Sequence, residues 1–208
     1  MRFRDRRHAG ALLVEALKPL GLERPVGWAP PRAGGVAAHA LANGRGGLLV
    51  VVVVGLVGGP GKPEFALGAV GEKGGMVLKP YALQYADQSY LEREAARQKD
   101  VIRKRAERYR KVRPKVPLAG RDVVLVDDGI ATGSTMEAAL AVVLSEKPRR
   151  VVVAVPVASP EAVERLKDQA EVVVLSTPPD FAAVGAYYMD FGEVTDEEVE
   201  GLLLQWSA

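Results

Sequence analysis

The chain has 208 residues, 48% of them apolar and 26% charged, which is long enough to bury a sizeable interior and ordinary for a globular protein. A net charge of +2 gives no global reason to expect a nucleic-acid binder, and the absence of cysteine excludes disulfides and thiolate metal sites. Two histidines, His8 and His39, are too few for a histidine-rich metal centre, and the basic start MRFRDRRHAG lacks the apolar run of a secretory signal.

In chain order, residues 6–18 place Ala9, Leu12, Leu13, Ala16 and Leu17 at helical spacing, ended by Pro19 and Gly21. A strand near 25–29 leads into Pro30-Pro31-Arg32-Ala33-Gly34-Gly35 and a small-residue helix reaching about Asn43, with His39 at its core or boundary and Trp28 in a packing role. GLLVVVVVG (47–55) is apolar on both faces and reads as an interior parallel strand; the wider run Gly46–Gly59 is too short and too glycine-broken to span a membrane. After a loop GGPGKPE, the segments FALGAV and MVLKP around Gly71–Gly75 predict a hairpin.

Residues 85–113 predict a long polar helix with a thin stripe of Leu91, Ala95, Ile102, Ala106 and Tyr109. Its ten Lys and Arg residues surround the helix and interleave with Glu92, Glu94, Asp100 and Glu107, so a solvated, ion-paired face is favoured over a nucleic-acid grip. Strands follow at 122–127, 151–155 and 172–175, helices start near Ser134 and Pro160, and Thr195-Asp196-Glu197-Glu198 forms a capping box for a terminal helix. This alternation predicts an α/β fold with a mostly parallel sheet flanked by helices, and ligands in such sheets lie beyond the carboxyl ends of strands.

VVLVDDGIATGST (123–135) occupies that position. Asp127 and Asp128 point to opposite faces of the strand end and together can accept hydrogen bonds from vicinal sugar hydroxyls or hold Mg²⁺ through water. Ala131, Thr132, Gly133, Ser134 and Thr135 then offer unhindered N–H groups at a helix N-terminus, an anion site with extra hydroxyl donors. A diol site beside a phosphate site describes a ribose 5-phosphate. The glycine-rich run before Lys62 is no nucleotide-binding P-loop: that motif needs Gly at 56 and Ser or Thr at 63, where this chain has Leu56 and Pro63.

The thirteen-residue stretch resembles the phosphoribosyl pyrophosphate (PRPP) signature of type I phosphoribosyltransferases. RDRRHAGALL, PEFALGAVGE (63–72), VPVASPEA (155–162) and FAAVGAYYMDFGEVTDEEV (181–199) further resemble a bacterial subgroup of predicted phosphoribosyltransferases. The resemblance implies one domain over 1–208, a parallel core with a small hood and flap. A hairpin and long helix at about 60–113 would form the flap region, and 178–208 a C-terminal segment.

It implies a cytoplasmic enzyme of nucleotide metabolism that binds PRPP with Mg²⁺ and transfers the phosphoribosyl group to a nitrogen acceptor. In it Asp127 and Asp128 are catalytic, holding the ribose hydroxyls and, through them or water, the metal. Residues 131–135 would cradle the 5′-phosphate. No nucleic-acid or membrane partner is implied, and a homo-oligomer stays open.

Two departures mark this chain. The subgroup's pyrophosphate loop reads Pro-Arg-Gly-Gly, whereas here Ala33 interrupts Pro31-Arg32-Ala33-Gly34-Gly35. An Arg-Lys pair expected after the second strand is replaced by Gly55-Leu56, leaving Lys62 as a substitute flap cation. Lost cations would weaken compensation of the leaving pyrophosphate, so a non-catalytic PRPP or nucleotide sensor is the alternative. Purine-type relatives often carry an acid at the phosphate loop's first position; Ala131 there argues against hypoxanthine or guanine as acceptor. Tyr187, Tyr188, Phe181 and Phe191 could stack a base or pack a core.

Overall fold

The computed structural model describes residues 2–29, 48–51, 54–72, 75–112, 114–192, 195 and 197–198. The elements in chain order are α1 (Arg6–Leu17), β1 (Val26–Ala29), β2 (Leu48–Val51), β3 (Gly55–Gly59), β4 (Lys62–Val70), β5 (Met76–Leu78), α2 (Ala82–Tyr85), α3 (Gln88–Val112), β6 (Asp122–Val126), α4 (Ser134–Ser145), β7 (Arg150–Val157), α5 (Pro160–Lys167) and β8 (Glu171–Ser176).

Five strands form a sheet in the order β2-β1-β6-β7-β8, and every neighbouring pair is parallel. All five residues of β6 are buried, as expected for a strand whose two faces are both covered by helices. From β1 the chain winds outward to β2, and from β6 it winds the other way through β7 to β8. The topological switch point therefore lies between β1 and β6, and a crevice opens there beyond Ala29 and Val126.

A second, antiparallel sheet of β3, β4 and β5 forms a hood. The predicted β4–β5 hairpin is present, with Gly68, Ala69 and Val70 opposite Leu78, Val77 and Met76. Two expectations need correction. The run 47–55 is not one interior strand: Leu48–Val51 is the end strand of the parallel sheet among the described residues, and Gly55 already starts the hood. The stretch 58–64, expected as a loop, is the tight turn and flanks of a β3–β4 hairpin. Its Lys62 lies in a strand, with no helix after it, unlike the lysine of a P-loop.

Helix α1 begins where the Asp5 carboxylate accepts the His8 N–H at 2.8 Å and buries Ala9, Leu13, Val14 and Leu17. The predicted stripe of α3 is buried throughout. Arg97 pairs with Glu94 and Arg103 with Asp100 on the solvent face of α3, while Arg110 pairs with Glu72 in a largely buried contact. One apolar cluster joins Leu13, Val124 and Val152 of the parallel layer to Val57, Leu67, Leu91 and Tyr109 of the hood side. A second, on the opposite face, gathers Trp28, Leu125, Met136, Leu140, Val153 and Leu166, so Trp28 packs as expected. Thr195 Oγ1 accepts the Glu198 N–H at 3.1 Å, the first bond of the predicted capping box. The expected helix ending near Asn43, with His39, lies outside the described residues. No described helix is long and apolar enough to cross a membrane.

Candidate active site

At the end of β6 the chain turns through Asp127 and Asp128, two adjacent acids whose side chains interact with each other. The Asp127 carboxylate Oδ1 accepts the backbone N–H of Asp128 at 2.7 Å. Asp127 also borders a small apolar recess with Trp28, Leu125, Met136 and Ala139. Burial, then the neighbouring Asp128 charge, pushes its pKa well above the ordinary aspartate value. Asp128 is 6% exposed, and its Oδ2 accepts from Arg6 Nε at 3.2 Å. Two adjacent acids of identical chemistry thus have different partners, Asp127 the Asp128 N–H and Asp128 the Arg6 guanidinium.

Beyond the acids, the loop is fixed at its base and open at its tip. Ile130 N–H donates to Val157 O, Ser159 N–H to Ile130 O, and Ser159 Oγ to Ala131 O at 2.7 Å, which ties the loop to the end of β7. Gly133 caps α4 with φ +85°, a left-handed conformation that L side chains rarely adopt. A cleft of about 130 Å³ is lined by Asp127 and by every residue from Gly129 to Met136. Ala131, Thr132 and Thr135 are exposed on it. The N–H groups of Ala131, Thr132, Gly133 and Thr135 meet no acceptor among the described residues, while Ser134 N–H lies 3.4 Å from Thr132 Oγ1. Unpaired donors at a helix N-terminus favour an anion of phosphate size and charge.

An acid in the first turn of α4, Glu137, is 5% exposed and would oppose an anion bound there. Two cations offset it: Lys79 Nζ lies 3.6 Å from one carboxylate oxygen and Arg165 Nη1 3.6 Å from the other. Arg165 also lies against the loop, its Nη2 3.2 Å from the point a side-chain carbon on Gly133 would occupy.

The structure thus brings Asp127 and residues 131–135 into one cleft, with Asp128 beside Asp127 and bonded to Arg6. Pro31, Arg32, Ala33, Gly34 and Gly35, expected to bind pyrophosphate, lie outside the described residues; β1, which precedes them, borders the switch point. Lys62 is exposed at the start of β4, two residues from Glu64, whose carbonyl accepts from Ser134 Oγ at 2.5 Å. Gly55 packs so closely on α3 that an added side-chain carbon would lie 2.8 Å from Gln98 Cβ and Ile102 Cδ1.

Sequence reasoning missed Arg6, Glu137, Lys79 and Arg165 around this site, and left Tyr188 between stacking and packing. Tyr188 is 2% exposed and donates its hydroxyl to the backbone carbonyl of Asp128 at 2.5 Å. Burial, then the Asp128 charge, raises its pKa further above the usual phenol value. The only available signal was that RDRRHAGALL and FAAVGAYYMDFGEV both matched the same subgroup.

Comparison with known proteins fixes the class. The phosphoribosyl transferase domain model matches residues 29–191, and the chain belongs to that family. Two strains of Mycobacterium tuberculosis, CDC 1551 / Oshkosh and H37Rv, carry relatives provisionally named phosphoribosyl transferases. Each is 39% identical over 204 residues, covering 97% of this chain and 46% of theirs. The chain therefore spans about half the length of the curated relatives it matches. The crystal structure of TT1426 from Thermus thermophilus is 74% identical over all of both chains, with a TM-score of 0.97. A hypothetical protein from Neisseria gonorrhoeae, solved with bound ppGpp, shares the fold at a TM-score of 0.52 and 16% identity over 98% of this chain and 97% of its own.

Proposed function

We propose that the protein binds PRPP and transfers its 5-phosphoribosyl group to a nitrogen acceptor, a nucleobase by preference, with release of pyrophosphate. The observation that carries this is the meeting of Asp127 with four loop N–H groups, unpaired among the described residues, in one cleft at the sheet's switch point. Residues 131–135 receive the 5′-phosphate. Asp127 and Asp128 take the ribose hydroxyls, and the segment 31–35 takes the pyrophosphate from the end of β1.

The acceptor nitrogen forms its bond to C1 as the bond from C1 to the pyrophosphate oxygen breaks and the electron pair leaves with pyrophosphate. The transition state is oxocarbenium-like, so the protein contributes positioning and charge rather than a covalent intermediate. Ala131 at the head of the loop supplies no carboxylate to the acceptor.

Magnesium fits this site in one manner. Among the described residues no cluster of three or more metal-ligating side chains exists, and Asp128 already accepts from Arg6. Asp127 and Asp128 would hold Mg²⁺ through ribose hydroxyls or water. When bound it neutralises the departing pyrophosphate. A cytoplasmic location belongs to the same reading.

A second reading has its own support. Gly55 leaves no room for a cation against α3, and Leu56 beside it is apolar, so the hood lacks the charge pair expected near the leaving group. A PRPP sensor without turnover would look the same. Calorimetric titration of PRPP with and without Mg²⁺ tests binding, and pyrophosphate release across a panel of bases tests transfer. Binding with release supports the enzyme, binding without release the sensor, and no binding removes both.

A further inference from the structure

Two segments singled out in the sequence, RDRRHAGALL and FAAVGAYYMDFGEV, lie at opposite ends of the chain, yet the fold joins them. Phe3 N–H donates to Tyr187 O at 2.8 Å, Met189 N–H to Phe3 O at 2.7 Å and Asp190 N–H to Arg4 O at 2.8 Å. The parallel bridge between Phe3 and Tyr188 is backed by their rings, 5.5 Å apart. This seam is buried at both residues, at 0% and 2% exposure.

What the seam delivers is a grip on one residue. From the N-terminal side, Arg6 Nε donates to Asp128 Oδ2 at 3.2 Å. From the C-terminal side, Tyr188 donates to the Asp128 carbonyl. Arg6 is itself held: its Nη1 donates to Gly192 O at 2.6 Å and its guanidinium lies 4.0 Å over the Phe191 ring. The side chains of Arg6 and Asp128 are only 11% and 9% exposed, so this is not a solvent-screened surface pair. Arg6 uses a planar fork and an aromatic face together, which an ammonium cannot reproduce.

We infer that Arg6 is a positioning residue for ribose recognition: the joined chain ends hold the Asp128 carboxylate in the one orientation that accepts a sugar hydroxyl. Arg6 takes Oδ2 and so sets the plane of the carboxylate beside Asp127; in this proposal the carboxylate so held accepts the sugar hydroxyl. The inference rests on the phosphoribosyl reading of the site and assigns its sugar selectivity to a residue 122 positions from Asp128.

The test compares ribose 5-phosphate with inorganic phosphate, which occupies the loop but offers no hydroxyl to Asp128. Affinities are measured for wild type, Arg6→Ala, Arg6→Lys, Asp128→Asn and the Arg6→Ala/Asp128→Asn pair, with thermal melts confirming folding. Wild type is expected to prefer ribose 5-phosphate. Arg6→Ala is expected to lose about tenfold of that preference with phosphate affinity unchanged, and Arg6→Lys to lose less. In the Asp128→Asn background, Arg6→Ala is expected to change nothing further.

A wild type with no preference for the sugar overturns the phosphoribosyl reading and this inference with it. A normal wild-type preference that survives Arg6→Ala, or an Arg6→Ala effect undiminished by Asp128→Asn, overturns the inference alone. If Arg6→Ala does not fold, Arg6→Lys decides: a folded Lys variant with wild-type preference overturns it.

Discussion

The Ser134 hydroxyl donates to the Glu64 carbonyl at 2.5 Å, so the first residue of α4 is fastened to the hood strand that carries Lys62. A phosphate bound in the proposed loop site would compete for that hydroxyl, and the contact would then couple occupancy of the cleft to the seating of the β3–β4 hairpin. Ser134→Ala should cost about 1 kcal/mol of stability, because it leaves a carbonyl without its partner. In hydrogen exchange of wild type, inorganic phosphate should reduce protection around Glu64; unchanged exchange there would argue that the two events are independent.

Asp127 carries a stability penalty. Its pKa is raised in the folded state by burial and by the Asp128 charge, so this group favours folding below the ordinary aspartate value and loses that contribution as pH rises toward its own raised value. At neutral pH Asp127→Asn should therefore raise the melting temperature while weakening ribose 5-phosphate binding. A variant that melts lower with unchanged binding would contradict both halves.

Asp128→Asn should weaken PRPP binding several-fold, on the order of 1 kcal/mol, without unfolding the chain. Calorimetry beside a thermal melt checks it, and unchanged affinity would count heavily against the proposed site.

Gly133→Ala places a side-chain carbon at φ +85° and 3.2 Å from Arg165 Nη2. The expected cost is roughly 1–2 kcal/mol in denaturant unfolding, with inorganic phosphate affinity falling because the loop N–H groups are re-aimed.

Asp122, at the other end of β6, is an acid-sensitive anchor. Its fully buried side chain accepts from Arg149 Nε at 2.7 Å, Arg149 Nη2 at 2.6 Å and Glu23 N–H at 2.8 Å. The Arg149 bond comes first among the causes that hold its pKa below the ordinary value of 3.8. Its contribution is thus complete above that value and lost as pH falls below it toward the folded value. Asp122→Ala should lose roughly 2 kcal/mol at neutral pH, about 4–8 °C in melting temperature. The difference from wild type should shrink in acid.

The strand, the acid pair and the small-residue loop of 123–135 were legible because all of their signals are consecutive: a buried run, two carboxylates, then glycine and hydroxyls. The 47–55 run misled because an unbroken apolar stretch reports that both faces of a strand are covered and says nothing about whether both edges are paired. Gly55, Gly58 and Gly59 hid β3, since glycine carries little strand preference of its own and pairing with β4 supplies what propensity does not. Arg6 and Asp128 are 122 residues apart, and the docking of α1 along with the seam of the chain ends brings them together. Glu137 with Lys79 and Arg165 is illegible for the same reason, as three elements each donate one charge.

The Phe3–Tyr188 bridge has a consequence for how the protein is made. During synthesis, residues 3–6 leave the ribosome before residues 187–192 and must wait for them before Asp128 gains its full set of neighbours. The central strand and its helices can dock before that moment, whereas Asp128 gains these partners only with residues 187–192. A nascent or truncated chain ending short of Tyr188 would lack the Tyr188 bond to the Asp128 carbonyl and, on the proposed reading, a finished sugar seat.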